Sequence, residues 1–220
     1  MKLIYGKAGT GKSSFIFKEI KEQLKENLAH KIYIIVPEQF SYATEKRLLE
    51  TLEENASINA EVISFKRLAH RIALEVGGNN ETILSKTGRT MLVEYILEQN
   101  KKKLSFLGKS SDVDLVLRTI TELKKHNVSN SMLEEQINNI DNEYLKLKLK
   151  DINEIYSEYQ KTILNNYIDE DDILTILGKN IKHSKLLDNS VVYIDEFSGF
   201  TQQEYIIIEE ILKKAKKVNI

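Results

Sequence analysis

Short apolar runs separated by amphipathic stretches occupy the first third of the chain. Residues 3–5 form an apolar run that leads into glycines, and residues 31–36 form a second run that Pro37 stops. Between these two runs, residues 14–27 have the apolar spacing of a helix. Further along the chain, residues 61–65 form a third apolar run that is typical of a strand. Because strands that alternate with helices pair in parallel, this pattern predicts an α/β protein with a parallel sheet.

The same pattern predicts the elements that flank these strands. Residues 42–54 and 66–76 have helical spacing, and the second helix stops at Gly77 and Gly78. Near the end of the chain, Val191–Ile194 is a fourth apolar strand, and Thr201 begins a helix because Glu204 follows it at capping-box spacing. Residues 217–220 then begin a strand that is not completed, so we expect the chain to be part of a longer protein.

The middle of the chain lacks strand signals. Two apolar stripes at helical spacing lie in residues 113–123 and 152–163, and polar joints rich in Asn and Lys separate the helices. We therefore predict an α/β domain formed by residues 1–79 and 190–220. An all-helical insertion subdomain, residues 80–189, interrupts it.

Composition excludes several classes of function. The 32 basic and 33 acidic side chains give a net charge of −1, so attraction to nucleic acid or membrane must come from local patches. The absence of cysteine excludes disulfides, zinc knuckles and iron–sulfur clusters within these residues, and the four histidines show no metal-ligand spacing. No apolar stretch approaches the roughly 18 residues that span a bilayer. We expect a soluble, cytoplasmic protein that does not bind membranes.

A glycine-rich segment between the first strand and the first helix matches the P-loop pattern. Glycines allow the backbone N–H groups, with the helix N-terminus behind them, to surround phosphates. Lys12 is expected to reach the β and γ phosphates of ATP as a catalytic residue, and the Ser13 hydroxyl to bind Mg²⁺. The predicted nucleotide-binding residues are Gly6, Lys7, Ala8, Gly9, Thr10, Gly11, Lys12 and Ser13.

An acidic pair follows the fourth strand. Asp195 is predicted to hold Mg²⁺, and Glu196 to act as the catalytic residue that orients and deprotonates an attacking water. Taken alone, such a pair is more often a solvated helix start. With a P-loop in the same sheet, whose carboxyl edge carries both motifs, the functional interpretation is favoured.

Four other sets of residues leave their interpretation open. Residues 169–172, Asp-Glu-Asp-Asp, resemble a metal cluster, but we expect a solvated helix start because consecutive helical residues point in different directions. Arg67 with His70 and Arg71 could contact DNA phosphates, and Gln39 with Phe40 could line a ligand cleft, but a solvated face and a packed loop fit these two sets equally well. We expect the lysine-rich stretches 101–103 and 213–217 to be solubilising faces rather than nucleic-acid contacts.

The order of these features resembles the first RecA-like domain of a superfamily 1 helicase. A closer resemblance, which spans nearly the whole chain, is to the B subunits of the bacterial AddAB ATP-dependent helicase/deoxyribonucleases. The segments that carry it are residues 6–13, Val-Pro-Glu-Gln-Phe at 36–40, Ile-Ser-Phe-Lys-Arg-Leu-Ala at 63–69, Gly-Arg-Thr-Met at 88–91, and residues 193–205.

The resemblance implies a role in DNA double-strand-break repair, in a heterodimer with an A subunit that processes DNA ends and recognises a hotspot sequence. It also implies a longer protein, whose nuclease domain and iron–sulfur cluster lie outside these residues, so no nuclease activity is expected here. Since the family assigns the main motor to the A subunit, we expect weak ATPase activity or none. One departure is Glu196, where many members have glycine, and a glutamate is what hydrolysis needs.

Two alternatives remain. A small P-loop kinase also begins with a P-loop and uses a helical lid, although its acidic strand motif rarely follows some 180 residues later. Alternatively, the nucleotide site is vestigial and the helical insertion is an interaction scaffold for the partner subunit or DNA.

Overall fold

The computed structural model describes residues 1–26, 30–52, 59–77, 82–108, 112–164 and 167–220. The chain divides into two compact units. The first consists of Met1–Gly78, Leu174–Phe200 and Glu204–Ile220, and the second of Asn79–Ile173 and Thr201–Gln203.

Most helices and strands lie where the hydrophobic periodicity predicts them. The strands are β1 (Ile32–Ile35), β2 (Ala60–Ile63), β3 (Thr82–Leu84), β4 (Tyr167–Asp169), β5 (Val191–Ile194) and β6 (Lys217–Asn219). The helices are α1 (Lys12–Lys25), α2 (Ser41–Leu52), α3 (Phe65–Val76), α4 (Lys86–Asn100), α5 (Val113–Lys125), α6 (Asn130–Asn138), α7 (Glu143–Leu164), α8 (Ile173–Asn180) and α9 (Gln202–Lys214). Within the ranges given above, none of these helices has the length and apolar character needed to cross a membrane.

The first unit contains a four-stranded sheet in the order β2-β1-β5-β6, and every pairing is parallel. The predicted parallel sheet is therefore confirmed. All four residues of β1 and of β5 are buried, which explains why these central strands are continuous apolar runs without alternation.

The predicted strand at residues 3–5 is wrong in its extent. The backbone N–H groups of Lys2 and Ile4 donate to the carbonyls of Val218 and Ile220, at 2.8 and 2.6 Å, and Lys2 forms a single parallel bridge with Asn219. Beyond this bridge the side chain of Tyr5 is 87% exposed, so the apolar run is not buried as a strand would be. The segment nevertheless extends the sheet beside β6 and leads into the glycines.

Glu19 of α1 ties this segment to the sheet. Its carboxylate binds Lys2 at 3.0 Å and Lys217 at 2.8 Å. Burial alone would raise the pKa of Glu19, but the two lysines outweigh it and lower that pKa. One face of the sheet is covered by α1 and α2, whose core residues include Ile16, Ile20 and Leu48.

The second unit packs α4, α5, α6 and α7 around one apolar core. The predicted stripes are confirmed, since Val116, Ile120, Ile152, Ile155 and Tyr159 are all buried in it. The prediction that residues 80–189 are all-helical is wrong, because β3 and β4 form a two-stranded parallel sheet. These strands have three residues each, and most of those side chains are exposed or half-buried, so they leave no apolar run in the sequence.

Candidate functional site

The glycine loop, residues 6–13, joins the N-terminal segment to α1. Gly9 and Gly11 have φ values of 77° and 86°, in the left-handed region that glycine adopts without steric cost. Gly11 is the N-cap of α1, and the first turn of this helix contains no acidic residue. The positive end of the helix dipole therefore faces the exposed loop without a competing carboxylate from its own first turn, which is the environment that binds anions.

Lys12 folds back onto this loop. Its ammonium group donates to the carbonyl oxygens of Gly6, at 2.9 Å, and Lys7, at 3.0 Å. The Thr10 hydroxyl donates to the same Lys7 carbonyl at 2.9 Å. These bonds hold a positive charge beside the exposed loop backbone.

The acidic pair after β5 has a strained backbone. The N–H of Asp195 continues the sheet by donating to the Ile35 carbonyl at 3.0 Å. Glu196 then adopts a φ of 65°, which costs a non-glycine residue about 1–2 kcal/mol. Its N–H donates to Oδ1 of Asp195 at 2.8 Å, and its carboxylate lies 3.9 Å from the guanidinium of Arg47 on α2.

Parallel pairing puts the glycine loop and Asp195 at the same edge of the sheet. The loop follows the segment that pairs with β6, and Asp195 follows β5, which is the neighbour of β6 on its other side. Two strand spacings of about 4.8 Å separate the two strand ends by about 10 Å. The common edge was predicted from the two motifs, but the predicted neighbouring position of their strands is wrong, because β6 lies between them.

The residues present fit a magnesium ion only in part. Ser13 and Asp195 supply oxygen atoms, which Mg²⁺ prefers, and both residues are half-buried. Among the described residues, however, no group of three or more His, Asp or Glu side chains could hold a metal ion. Phosphate oxygens would have to complete the coordination, as Mg²⁺ sites at nucleotides commonly require.

A cleft of about 500 Å³ lies within the first unit, where β1, β2 and β5 end. The glycine loop does not line it. Its lining comes instead from segments 36–40, 64–66 and 196–199, with Leu174 and Glu204. Gln39 and Phe40, for which the sequence left a cleft position and loop packing equally open, belong to this lining.

An aromatic row runs beside this cleft. The ring centroids of Phe65 and Phe197 are 5.5 Å apart, those of Phe197 and Phe200 are 5.0 Å apart, and those of Phe200 and Tyr205 are 5.6 Å apart. Tyr205, at the end of the row, is 54% exposed. All four residues lie in the motifs that carry the family resemblance, but their positions in the sequence do not predict that the rings pack together.

Ser64 fixes two walls of the cleft to each other. Its hydroxyl donates to the Glu38 carboxylate and accepts the N–H of Arg67, at 3.3 Å, as the N-cap of α3. The side chains of Arg67, His70 and Arg71 are exposed on α3, and Arg71 binds Glu61 at 2.5 Å. One of the two arginines is therefore already paired within the unit.

The expectation that residues 169–172 form a solvated helix start is wrong. Asp169 is fully buried, and its carboxylate accepts hydrogen bonds from Lys124 at 2.8 Å and from the Tyr159 hydroxyl at 2.9 Å. Arg89 lies 3.2 Å from Asp169 and also binds Asp171. The acidic run is thus the negative half of an ion-pair network in the second unit.

Electrostatics in this network follow from burial and pairing. Burial alone would raise the pKa of Asp169, but Lys124 and Arg89 outweigh it, so the pKa is lowered. Asp172 lies 2.7 Å from Lys124, yet burial and the neighbouring carboxylates raise its pKa. Burial and the charge of Asp169 also raise the pKa of Tyr159, which keeps its hydroxyl protonated as a donor.

A parallel sheet whose strands alternate with helices defines the class as an α/β protein. Within that class, the chain belongs to the family described as "ADDB, N-terminal", whose model matches residues 3–220. The resemblance deduced from the sequence motifs is confirmed.

Three relatives are each named as the B subunit of an ATP-dependent helicase/deoxyribonuclease. The chain is 39% identical over its whole length to the protein of Clostridium perfringens strain SM101, 37% to that of Clostridium botulinum strain Hall, and 40% to that of Clostridium tetani. It covers 19%, 20% and 20% of these relatives, respectively, so it spans about one fifth of their length.

Proposed function

We propose that the chain is the helicase-like, RecA-like region of a B subunit that works with an A subunit in DNA double-strand-break repair. In this role it binds ATP with Mg²⁺ at the glycine loop and holds single-stranded DNA in the cleft. Similarity over the whole of this chain to about one fifth of proteins named as helicase/deoxyribonuclease subunits supports this proposal.

The aromatic row beside the cleft is the observation that carries the proposal. Accessible aromatic rings bind single-stranded DNA because every base has a face that can stack, whatever the sequence. In this row Tyr205 is exposed and Phe197 and Phe200 are half-buried, whereas Phe65 is buried and supports them. Polar side chains in the same lining, such as Gln39 and Ser198, offer hydrogen bonds to the edges of unstacked bases. A cleft that combines stacking with such bonds can select a sequence, and this supports a part in hotspot recognition.

The nucleotide part of the proposal rests on the glycine loop. Its N–H groups, the α1 N-terminus and Lys12 would hold the phosphates, while Ser13 and Asp195 would hold Mg²⁺, which neutralises phosphate charge when bound. Glu196 would orient an attacking water and accept its proton. Helicases complete such a site with arginines of a second lobe, so we expect slow hydrolysis or none from these residues alone.

Fluorescence anisotropy with a labelled single-stranded oligonucleotide tests the DNA part. Phe197→Ala should weaken binding about tenfold, because stacking contributes about 1–3 kcal/mol per base. Tyr95→Ala is the matched control, since Tyr95 is an exposed aromatic residue of the second unit and should leave the affinity unchanged. Equal affinities of the parent and Phe197→Ala would contradict a role of the row in DNA binding.

Titration with a fluorescent ATP analogue tests the nucleotide part. Lys12→Ala should lose most of the binding, with far-ultraviolet circular dichroism showing that the variant is folded. An equal lack of binding by parent and variant would favour the vestigial site that serves as an interaction scaffold. Transfer of phosphate from ATP to a small acceptor would favour the kinase instead.

A further inference from the structure

A short loop between α4 and α5 is held by a buried carboxylate. Asp151 of α7, which is 5% exposed, accepts the backbone N–H groups of Ser105 at 3.1 Å, Phe106 at 2.6 Å and Leu107 at 2.8 Å. Three bonds to one charged group fix the backbone of this loop, because hydrogen bonds to charged groups are stronger than neutral ones.

Gly108 closes the same loop. A Cβ atom at this position would lie 2.4 Å from the carbonyl oxygen of Lys101 and 2.6 Å from that of Leu104. Both neighbours are backbone atoms and cannot rotate away. The backbone of residues 101–108 is therefore held in one turn conformation.

The loop carries two exposed lysines and an aromatic ring that packs on α7. Lys102 and Lys103 are exposed at its start. Phe106 packs edge-on against Tyr144 of α7, with ring centroids 4.8 Å apart, and the ammonium of Lys148 lies 5.8 Å from the Phe106 ring. Tyr144 is 65% exposed, so its ring is accessible to solvent. We call these five residues the lysine–tyrosine patch.

The charges around the patch are mainly positive. Glu98 is 3.3 Å from Lys101, and Glu143 is 3.8 Å from Lys146, so each of these carboxylates has a lysine partner outside the patch. The Asp151 carboxylate is occupied by the three N–H groups. The patch itself contributes three lysines and no acid, which is complementary to a phosphate backbone.

We propose that the lysine–tyrosine patch is a binding site for single-stranded DNA. Lys102, Lys103 and Lys148 contact phosphates, and an unpaired base stacks on Tyr144. Exposed aromatic rings with lysines beside them suit single strands, because bases in a duplex are already stacked on one another. The patch belongs to the second unit and shares no residue with the cleft, so it stands independently of the function proposed above.

Anisotropy with a labelled oligothymidine of about twenty nucleotides tests the lysines in the 220-residue chain. Replacing Lys102 and Lys103 by alanine should lower the slope of log affinity against log salt by about 1.4, since each phosphate contact contributes about 0.7 for a single strand. The control replaces Lys125 and Lys161, which are exposed and paired with Glu122 and Glu158, and removes the same charge. An unchanged slope in the first variant, or an equal loss in the control, would overturn the proposal.

Tyr144→Ala tests the stacking in a chain that already carries Phe197→Ala, so that the cleft does not mask the patch. It should weaken the remaining binding about tenfold, while Tyr144→Phe in the same chain leaves that binding unchanged. Ultraviolet crosslinking of the unsubstituted chain to an oligonucleotide with 5-iodouracil needs no variant. Adducts on Tyr144 or Phe106 support the patch, whether or not the cleft binds DNA. Adducts confined to the aromatic row would support the cleft and overturn the patch, and duplex bound more tightly than single strand would also overturn it.

Discussion

Replacing Asp169 by asparagine tests whether the buried ion-pair network stabilises the second unit. The substitution keeps the size of the side chain and removes its negative charge. Arg89 and Lys124, each 6% exposed, would then lose one of their counter-charges without gaining access to water. The amide would also put an NH₂ group where Lys124 or Tyr159 now donates a hydrogen bond.

The size of the stability loss depends on the ion pairs that Arg89 and Lys124 keep after the substitution. Removing one partner of a buried ion pair usually costs about 3–5 kcal/mol, because the other charge stays buried and uncompensated. Arg89 still binds Asp171, and Lys124 still binds Asp172, so we expect a loss at the lower end, about 3 kcal/mol. That is a large part of the about 5–15 kcal/mol by which folded domains are stable.

Equilibrium unfolding in urea, followed by circular dichroism and by tyrosine fluorescence, measures this loss. The chain contains no tryptophan and ten tyrosines, so fluorescence reports the tyrosines directly. Glu158→Gln is the matched control, since it breaks an exposed pair with Lys161 and should cost less than about 0.5 kcal/mol. If Asp169→Asn costs no more than this control, the network does not stabilise the fold.

The dependence of the unfolding free energy on pH, at acid pH, gives a second check. Because the pKa of Asp169 is lowered in the folded state, its ionisation stabilises the fold above the unfolded pKa of about 3.9. This stabilisation is lost as pH falls through the folded pKa. The raised pKa of Asp172 has the opposite effect. Its ionised form lowers the stability of the fold near neutral pH, and protonation removes this loss. Asp169→Asn should therefore lose less stability on acidification below about pH 4 than the parent, and parallel curves would contradict this.

Substitutions at four positions test single features of the backbone, and urea unfolding measures each. Glu196→Gly should be more stable than Glu196→Ala by about 1 kcal/mol, since only glycine relieves a φ of 65°; equal stabilities would argue against the strain. Gly11→Ala, at a φ of 86°, should cost at least about 1 kcal/mol and also weaken binding of an ATP analogue. Gly108→Ala should cost about 1–3 kcal/mol, because its methyl group overlaps two carbonyl oxygens. Asp151→Asn should cost about 2 kcal/mol, because a neutral amide replaces an acceptor of three N–H groups.

The pattern of apolar residues was enough to predict most helices and strands of the first unit. Buried parallel strands such as β1 and β5 are continuous apolar runs, and the helices between them have a clear period of 3.6 residues. The two short strands of the second unit escaped this reasoning, because three exposed or half-buried residues carry no period. The cleft escaped it too, since its lining comes from segments far apart in the chain.

The buried charges did leave a signal in the sequence that was missed. Lys124 lies four residues after Ile120, Asp151 four before Ile155, and Arg89 four before Val93, so each charge is in register with an apolar stripe. A charged residue at such a position must be paired when the helix packs, because an isolated buried charge is too costly. Which opposite charge pairs with it depends on tertiary contacts, and the period does not reveal it.

Glu196 connects the strain in the backbone to the chemistry expected of it. A φ of 65° is where glycine fits without cost, and where a residue with a Cβ atom is strained. A glutamate here stores about 1–2 kcal/mol of strain, and its weak, partly exposed pair with Arg47 does little to offset it. Strain of this kind persists at functional sites because the surrounding structure maintains it. The carboxylate that hydrolysis would need is therefore the side chain that destabilises the fold at this edge of the sheet.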